Sequence, residues 1–330
     1  MADEAVPAVT VVVAFYKPAI AAAKRQIDSL LAQSGVRLSI VAVLDGPETA
    51  DDPALAHLLA RPGIEITRNP QALGVRGAFG SGLRLALSKA AGIAQFFAYA
   101  DQDDIWHPAK LSRSIAVLRS SGAKLVHCDA RVVDERGRLI APSLHRYETR
   151  REAGDLLGTL LLNNVTGMTA VFTPDTAKLT LALIDCYRGS LLHDHITAAA
   201  AASLGRVVLL DEPLMDYVQH ENNQIGARLH HPWRSRAFGI GHLAAYRRMS
   251  ALLFEERRPI ASALAARGLL PPHIATMFLA GSTPGYLSLI ISCGMAIWRM
   301  VVQGQPRRAM LAIRMMDAAF MQRRRGVSNS

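Results

Sequence analysis

Residues 96–108 read Phe96-Phe97-Ala98-Tyr99-Ala100-Asp101-Gln102-Asp103-Asp104-Ile105-Trp106-His107-Pro108. The apolar run predicts a strand, and the acids follow at once. Alternate side chains of an extended backbone share a side, so Asp101 and Asp103 are spaced to hold one divalent cation together with a diphosphate. Hard cations such as Mg²⁺ and Mn²⁺ take oxygen ligands, usually one or two carboxylates, and complete their shell with phosphate and water. The same spacing also suits an acidic turn ahead of a helix near Pro108, because Asp is favoured at helix N-termini.

Upstream, the β-branched run Val9 to Phe15 predicts a buried first strand, closed by Lys17-Pro18. A helix is expected over 19–33 and a second strand over 38–44, ended by the turn Asp45-Gly46-Pro47. Residues 53–60 read as helix, 64–67 as a short strand, 74–90 as a glycine-rich helix, and 93–99 as the strand that delivers the acids. Alternation of strand and helix makes this an α/β chain with a mainly parallel sheet covered on both faces. Ligands of such sheets bind beyond the carboxyl ends of the strands. Tyr16, Lys17, Asp45, Asp101 and Asp103 all fall at those ends, so one crevice can collect them.

Downstream, 125–130 reads as another strand, Asp134 to Arg138 as a hairpin-like turn, and the polar segment 141–156 as a mobile loop suited to covering an acceptor. Asn163 to Thr169 leads into the strand Ala170-Val171-Phe172, with Gly167 permitting close backbone approach. His193-Asp194-His195 opens a regular helix, and Val207 to Leu210 is a last strand before the polar run Tyr217 to Asn223.

Each polar signal has two readings. Asp45 is either a turn residue or an acceptor for a nucleobase imide. The glycines 74, 77, 80 and 82 resemble a phosphate loop only loosely, since no Gly-Lys-Ser/Thr follows, and close helix packing explains them as well. Asp194 is a helix-capping residue or a general base. His220 is a ligand for metal or phosphate, or a solvated side chain.

Charge divides the chain unevenly. Of its 330 residues, 1–227 carry 22 Lys and Arg against 24 Asp and Glu, whereas 228–330 carry 15 against 3. A main domain over 1–227 with a basic helical region over 228–330 is the expected organisation. The basic region surrounds thirteen uncharged residues, Tyr286 to Trp298, which is short for a membrane span of about 20 and suits an interfacial or buried helix. An anionic membrane surface or a partner helix would suit it. Arginines without interleaved aromatics argue against nucleic acid. Three widely spaced cysteines suggest neither a disulfide framework nor a zinc site, and the acidic start Met1-Ala2-Asp3-Glu4 is unlike a signal peptide, so a cytoplasmic setting is expected.

In order along the chain, the polar end of strand one, Asp45-Gly46, the segment Asn69 to Gly82, Asp101-Gln102-Asp103-Asp104-Ile105-Trp106 with Pro108 and Lys110, Asn164 to Gly167, His193-Asp194 and Tyr217 to Asn223 together resemble the family-2 glycosyltransferases. The resemblance covers about residues 8–227 and looks closest to the bacterial rhamnosyltransferase-like branch. It implies a nucleotide-diphospho-sugar transferase (GT-A) fold and inverting, metal-dependent transfer with Mg²⁺ or Mn²⁺. It places Asp194 as catalytic base, and Tyr16, Lys17, Asp45, Arg76, Asp101 and Gln102 on the nucleotide-sugar donor. Asp101, Asp103 and His220 fall on the cation. The implied partners are a nucleotide-diphospho-sugar, with dTDP-rhamnose first and uridine-diphospho-sugars as the other class, and a glycan or lipid-linked acceptor. The setting implied is the inner face of the cell membrane. Val218 stands where relatives frequently carry Arg, and Leu44-Asp45-Gly46 where they commonly carry two adjacent acids.

Overall fold

Five residues of the first strand, Val9, Val11, Val12, Val13 and Phe15, are wholly shielded from solvent. An uninterrupted apolar run of this kind is what a central strand with both faces covered requires. The computed structural model describes residues 6–89, 96–148, 150, 155–161, 163–220 and 255–279. The strands are β1 (Ala8–Phe15), β2 (Arg37–Asp45), β3 (Ile64–Asn69), β4 (Phe96–Ala100), β5 (Ile105–Trp106), β6 (Leu125–Asp134), β7 (Leu139–Ala141), β8 (Ala170–Phe172) and β9 (Val207–Gln219). The helices are α1 (Ile20–Leu31), α2 (Pro47–Ala50), α3 (Pro53–Leu59), α4 (Gly74–Lys89), α5 (Lys110–Ser121), α6 (Leu144–Tyr147), α7 (Leu156–Leu161), α8 (Pro174–Cys186), α9 (His193–Leu204) and α10 (Pro272–Leu279).

The chain groups into two compact units, one of residues 1–152, 164–185 and 192–230, the other of 153–163, 186–191 and 231–330. In the first, the strands run β3-β2-β1-β4-β8-β6-β9-β5, with β7 added beside β6. The pairs β1–β2, β1–β4, β2–β3 and β6–β9 are parallel, while β8 is antiparallel to β4 and β6. Strand order reverses around β1 and β4, where a crevice opens beyond their carboxyl ends.

Helix α1 turns Ala23, Ile27 and Leu30 toward the sheet at helical spacing. Helix α4 lies closer still. A Cβ built on Gly82 would stand 2.4 Å from Val12 Cγ1 and 2.6 Å from Val43 Cγ2, so only glycine allows that approach. At this position close packing, not a phosphate loop, accounts for the glycine.

Two segments differ from the sequence expectation. Strand β9 continues to Gln219, well beyond Leu210, although Asp211, Glu212 and Pro213 interrupt its apolar pattern. Register shifts opposite Cys128 to Arg131 absorb the irregularity, and a bidentate Arg131–Asp216 pair at 2.6 and 2.8 Å holds the strand beyond it. Within the polar segment 141–156, α6 forms with Ser143 as its cap, accepting from Arg146 N at 3.0 Å, and buries Leu144 and His145. Burial of Leu144 and the bond from His145 N to Asp129 Oδ1 at 3.1 Å give order to a stretch expected as a loop.

In the second unit, helical residues 255–265 bury Ile260, Ala261 and Leu264, and α10 buries Ile274 and Phe278. The Arg257 guanidinium, 7% exposed, donates to Leu160 O at 3.2 Å and pairs with Glu256. The run Tyr286 to Trp298 and the basic clusters after it lie outside the described residues. Among the described residues no helix is long and apolar enough to cross a membrane.

Candidate active site

The acidic turn is anchored from four directions. Gln33, just past α1, donates its amide to His107 O at 2.8 Å and accepts from Leu111 N at 3.1 Å, and Ser29 Oγ accepts from Trp106 N at 3.0 Å. Tyr16 N donates to Gln102 Oε1 at 2.9 Å, tying the end of β1 to the acids. From β9, Val218 N donates to Asp104 Oδ1 at 3.2 Å. The fourth anchor is His220, whose Nε2 lies 2.8 Å from Asp103 Oδ2.

The acidic turn borders a cavity of about 1030 Å³, whose wall includes Tyr16, Lys17, Asp45, Asp101, Gln102, Asp103, Asp194 and His220. Eight of the nine sequence-derived site residues therefore meet in one place. Arg76 is not part of that wall, which α4 supplies through Val75, Ala78 and Phe79. Asp45 is 2% exposed, and both its oxygens accept bonds from the protein: Oδ1 from Asn69 Nδ2 at 2.8 Å and Leu73 N at 2.9 Å, Oδ2 from Gly74 N at 3.0 Å. It shapes the loop that opens α4. Lys17 adopts φ 44°, held by its N–H on Thr49 Oγ1 at 3.1 Å, and its ammonium pairs with Glu48.

The carboxyl groups strain against one another. Burial first, then the charges of Asp103 and Asp194, raise the Asp101 pKa to about 7. Asp104 is wholly buried, has one oxygen without a hydrogen-bond partner, and is raised well above the carboxylate range by burial and by Asp101 and Asp103. Asp194 is raised to about 6 by burial, moderated by N–H groups of His195 and Gly167 and by the charge of Arg150. Its helix, α9, has Leu192 at the N-cap, so Asp194 is a first-turn residue and not the cap.

Gly167 is the second glycine that matters. A Cβ there would come within 2.5 Å of His193 Nε2, so a bare backbone is needed for its N–H to reach Asp194. His193 is stacked on Phe79 at 3.9 Å and edge-on to Tyr99 at 4.8 Å, and burial lowers its pKa to about 3.

Several wall residues escape sequence reasoning. Arg150 donates to Thr166 Oγ1 at 2.6 Å and to Asn164 O at 3.3 Å while pairing with Glu148. Their only signal was membership of a charged segment suited to covering an acceptor. Glu135, Phe79 and His193 also line the cavity.

Among the described residues, no three His, Cys, Asp or Glu side chains converge as a ready-made metal cluster. The donor chemistry nonetheless fits a hard divalent cation. Asp101 and Asp103 are oxygen donors in the one or two carboxylates that Mg²⁺ or Mn²⁺ takes from protein, and their mutual repulsion leaves negative charge for a cation to relieve.

No curated protein matches the sequence. Among solved structures, the chain is similar to S. aureus TarS 1-349 in complex with UDP-GlcNAc, at 14% identity and TM-score 0.48, covering 96% of this chain and 89% of that one. It is similar as well to S. aureus TarS 1-349 alone, at 12% identity and TM-score 0.47, covering 95% and 91%. The model of glycosyl transferase family 2 matches residues 10–177, which takes in β1, the Asp101–Asp104 turn and the Gly167 turn. With more than half of its residues inside that match, the chain belongs to glycosyl transferase family 2 and is a glycosyltransferase.

Proposed function

We propose that the protein is an inverting, cation-assisted transferase that moves a sugar from a nucleotide-diphospho-sugar to a hydroxyl of a glycan or lipid-linked acceptor in bacterial surface-glycan assembly. The observation that carries this reading is the sharing of one cavity by Asp194 and the Asp101/Asp103 pair, close enough for Asp194 to raise the Asp101 pKa. The donor we assign first is dTDP-rhamnose, which rests on the sequence resemblance; uridine-diphospho-sugars form the other class to be screened.

The difficult step is departure of a nucleoside diphosphate while an acceptor oxygen attacks the anomeric carbon. Asp194 takes the acceptor proton, and a positioned general base typically contributes about 10²–10⁴-fold. The N–H groups of His195 and Gly167 hold its carboxylate, and the 2.6 Å bond from His195 N fixes one oxygen. Asp101 and Asp103 would hold the divalent cation, which supplies neutralisation of the charge growing on the leaving diphosphate. His220 orients the Asp103 carboxylate. Tyr16, Lys17 and Gln102 bound the donor end of the same cavity.

The basic composition of residues 228–330 supports docking on an anionic membrane, where a lipid-linked acceptor would share the surface, from the cytoplasmic side. A thermal-shift screen of dTDP, UDP and their sugars with Mn²⁺ or Mg²⁺ tests the donor reading, since a ligand bound only by the folded form raises apparent stability. Stabilisation that needs cation and nucleotide together, and that Asp103→Ala abolishes, is the expected result. If no nucleotide sugar stabilises or is turned over by the intact protein, the reading fails.

A further inference from the structure

Lys110 has no business in an apolar core unless its amine is used. It is wholly shielded from solvent, its Nζ donates to Met168 O at 2.8 Å, and it sits over the Trp106 ring 2.9 Å from the centroid. An ammonium in the interior carries a desolvation penalty that an apolar chain of equal length avoids. What the amine holds is the carbonyl of a single-turn 3₁₀ segment, Gly167–Thr169.

That turn is the backing of the proposed base. Gly167 N donates to the Asp194 carboxyl, and Thr166 Oγ1 receives Arg150. The turn closes on itself through Thr169 Oγ1, which donates to Thr166 O at 2.7 Å. On its other side Lys110 begins α5, the helix that follows the acidic turn, and its amine lies over the ring of Trp106, two residues after Asp104. One side chain thus links the residue after the acidic turn to the turn that backs Asp194.

We propose that Lys110 is a positioning residue for the transfer reaction, which fixes the Gly167 N–H on Asp194 by holding the carbonyl of Met168 and so sets the base relative to the Asp101/Asp103 pair. It touches neither donor nor acceptor. The inference rests on Asp194 being the base, but its effect on the Asp194 carboxyl is measurable without substrate.

The test is ¹³C-carboxyl NMR titration of Asp194 in the full chain, its signal assigned by its loss in Asp194→Asn. Lys110→Met removes the donor at similar length. Its Asp194 midpoint is expected to rise above that of the wild type as the Gly167 bond loosens. Binding of UDP or dTDP with Mn²⁺ should change by less than about twofold, whereas full disruption of the site would lose it. Lys110→Gln, which keeps an N–H donor, should restore part of the shift. If Lys110→Met does not fold, Asp104→Asn/Lys110→Met removes both buried ionisable groups together and is read in the same way. An unmoved Asp194 midpoint in a folded variant overturns the proposal, as does nucleotide binding that falls in step with the shift. Retention of full transfer activity by Asp194→Asn would instead sink the functional reading and leave the Lys110 measurement standing.

Discussion

Leucine at position 193 isolates the protonation of one imidazole. His193 is 5% exposed, neither ring nitrogen has a hydrogen-bond partner, and burial lowers its pKa from 6.5 to about 3. A base depressed in this way is neutral when folded and takes up its proton on unfolding. Its contribution to stability is therefore whole above pH 6.5 and is lost as pH falls from 6.5 toward 3. Integrating over that window, the neutral imidazole costs little at pH 7 and about 2 kcal/mol at pH 5. His193→Leu removes this dependence, and whatever leucine costs in packing against Phe79 and Tyr99 is the same at both pH values. Urea unfolding of the two proteins at pH 7 and pH 5 measures the difference directly. The stability of the variant relative to wild type should move in its favour by about 2 kcal/mol on acidification. Equal differences at the two pH values would refute the claim that burial keeps the ring neutral. A shift in the opposite sense would mean the ring is charged in the folded state and paired with Asp194.

Asp194, raised to about 6, is ionised only above that pH, so kcat should be flat at higher pH and fall about tenfold per pH unit below it. Asp194→Asn should lose at least about 10²-fold in kcat at pH 8, measured by product formation, with nucleotide binding retained. Gly82→Ala forces a Cβ into Val12 and Val43, and overpacking of about 1–3 kcal/mol outweighs alanine's helical advantage of about 1 kcal/mol, so urea denaturation should show a net loss. Asp45→Ala strands the donors of Asn69, Leu73 and Gly74, and a loss of at least about 2 kcal/mol is expected in thermal unfolding, accompanied by weaker nucleotide binding as the start of α4 loosens.

How much could be seen in the sequence depended on whether a residue's environment is local. The runs Val9 to Phe15 and Phe96 to Ala100 were legible because strands covered on both faces carry no polar interruption. Asp101, Asp103 and Asp194 stood out because acids at strand ends and helix starts are conspicuous. Beyond Leu210 strand β9 was hidden, since its pairing is sustained by Arg131 and by Ile105–Trp106, partners far away in the chain. Asp104 looked like one acid among several, and its donor, Val218 N, is 114 residues away. Glycines were ambiguous for the same reason: the contact that fixes Gly82 comes from two other strands.

The buried groups of the cavity and core titrate in opposite senses, which has a consequence for the whole molecule. His127 and His193, both lowered to about 3 by burial, together lose about 4 kcal/mol of stability between pH 7 and pH 5. Asp101 and Asp194, raised to about 7 and about 6, are costly when ionised and regain stability over the same interval. Asp104, raised well above the carboxylate range, acts in the same sense as Asp101 and Asp194, so the buried carboxyls and the buried imidazoles push the wild-type stability in opposite directions on acidification. Asp101→Asn should be more stable than wild type at pH 7, and its advantage should shrink on acidification, because the Asp101 carboxyl is then protonated in the wild type as well. Crowding carboxyls into this cleft therefore destabilises the folded enzyme at neutral pH. A cation held by Asp101 and Asp103, as proposed, would offset that cost.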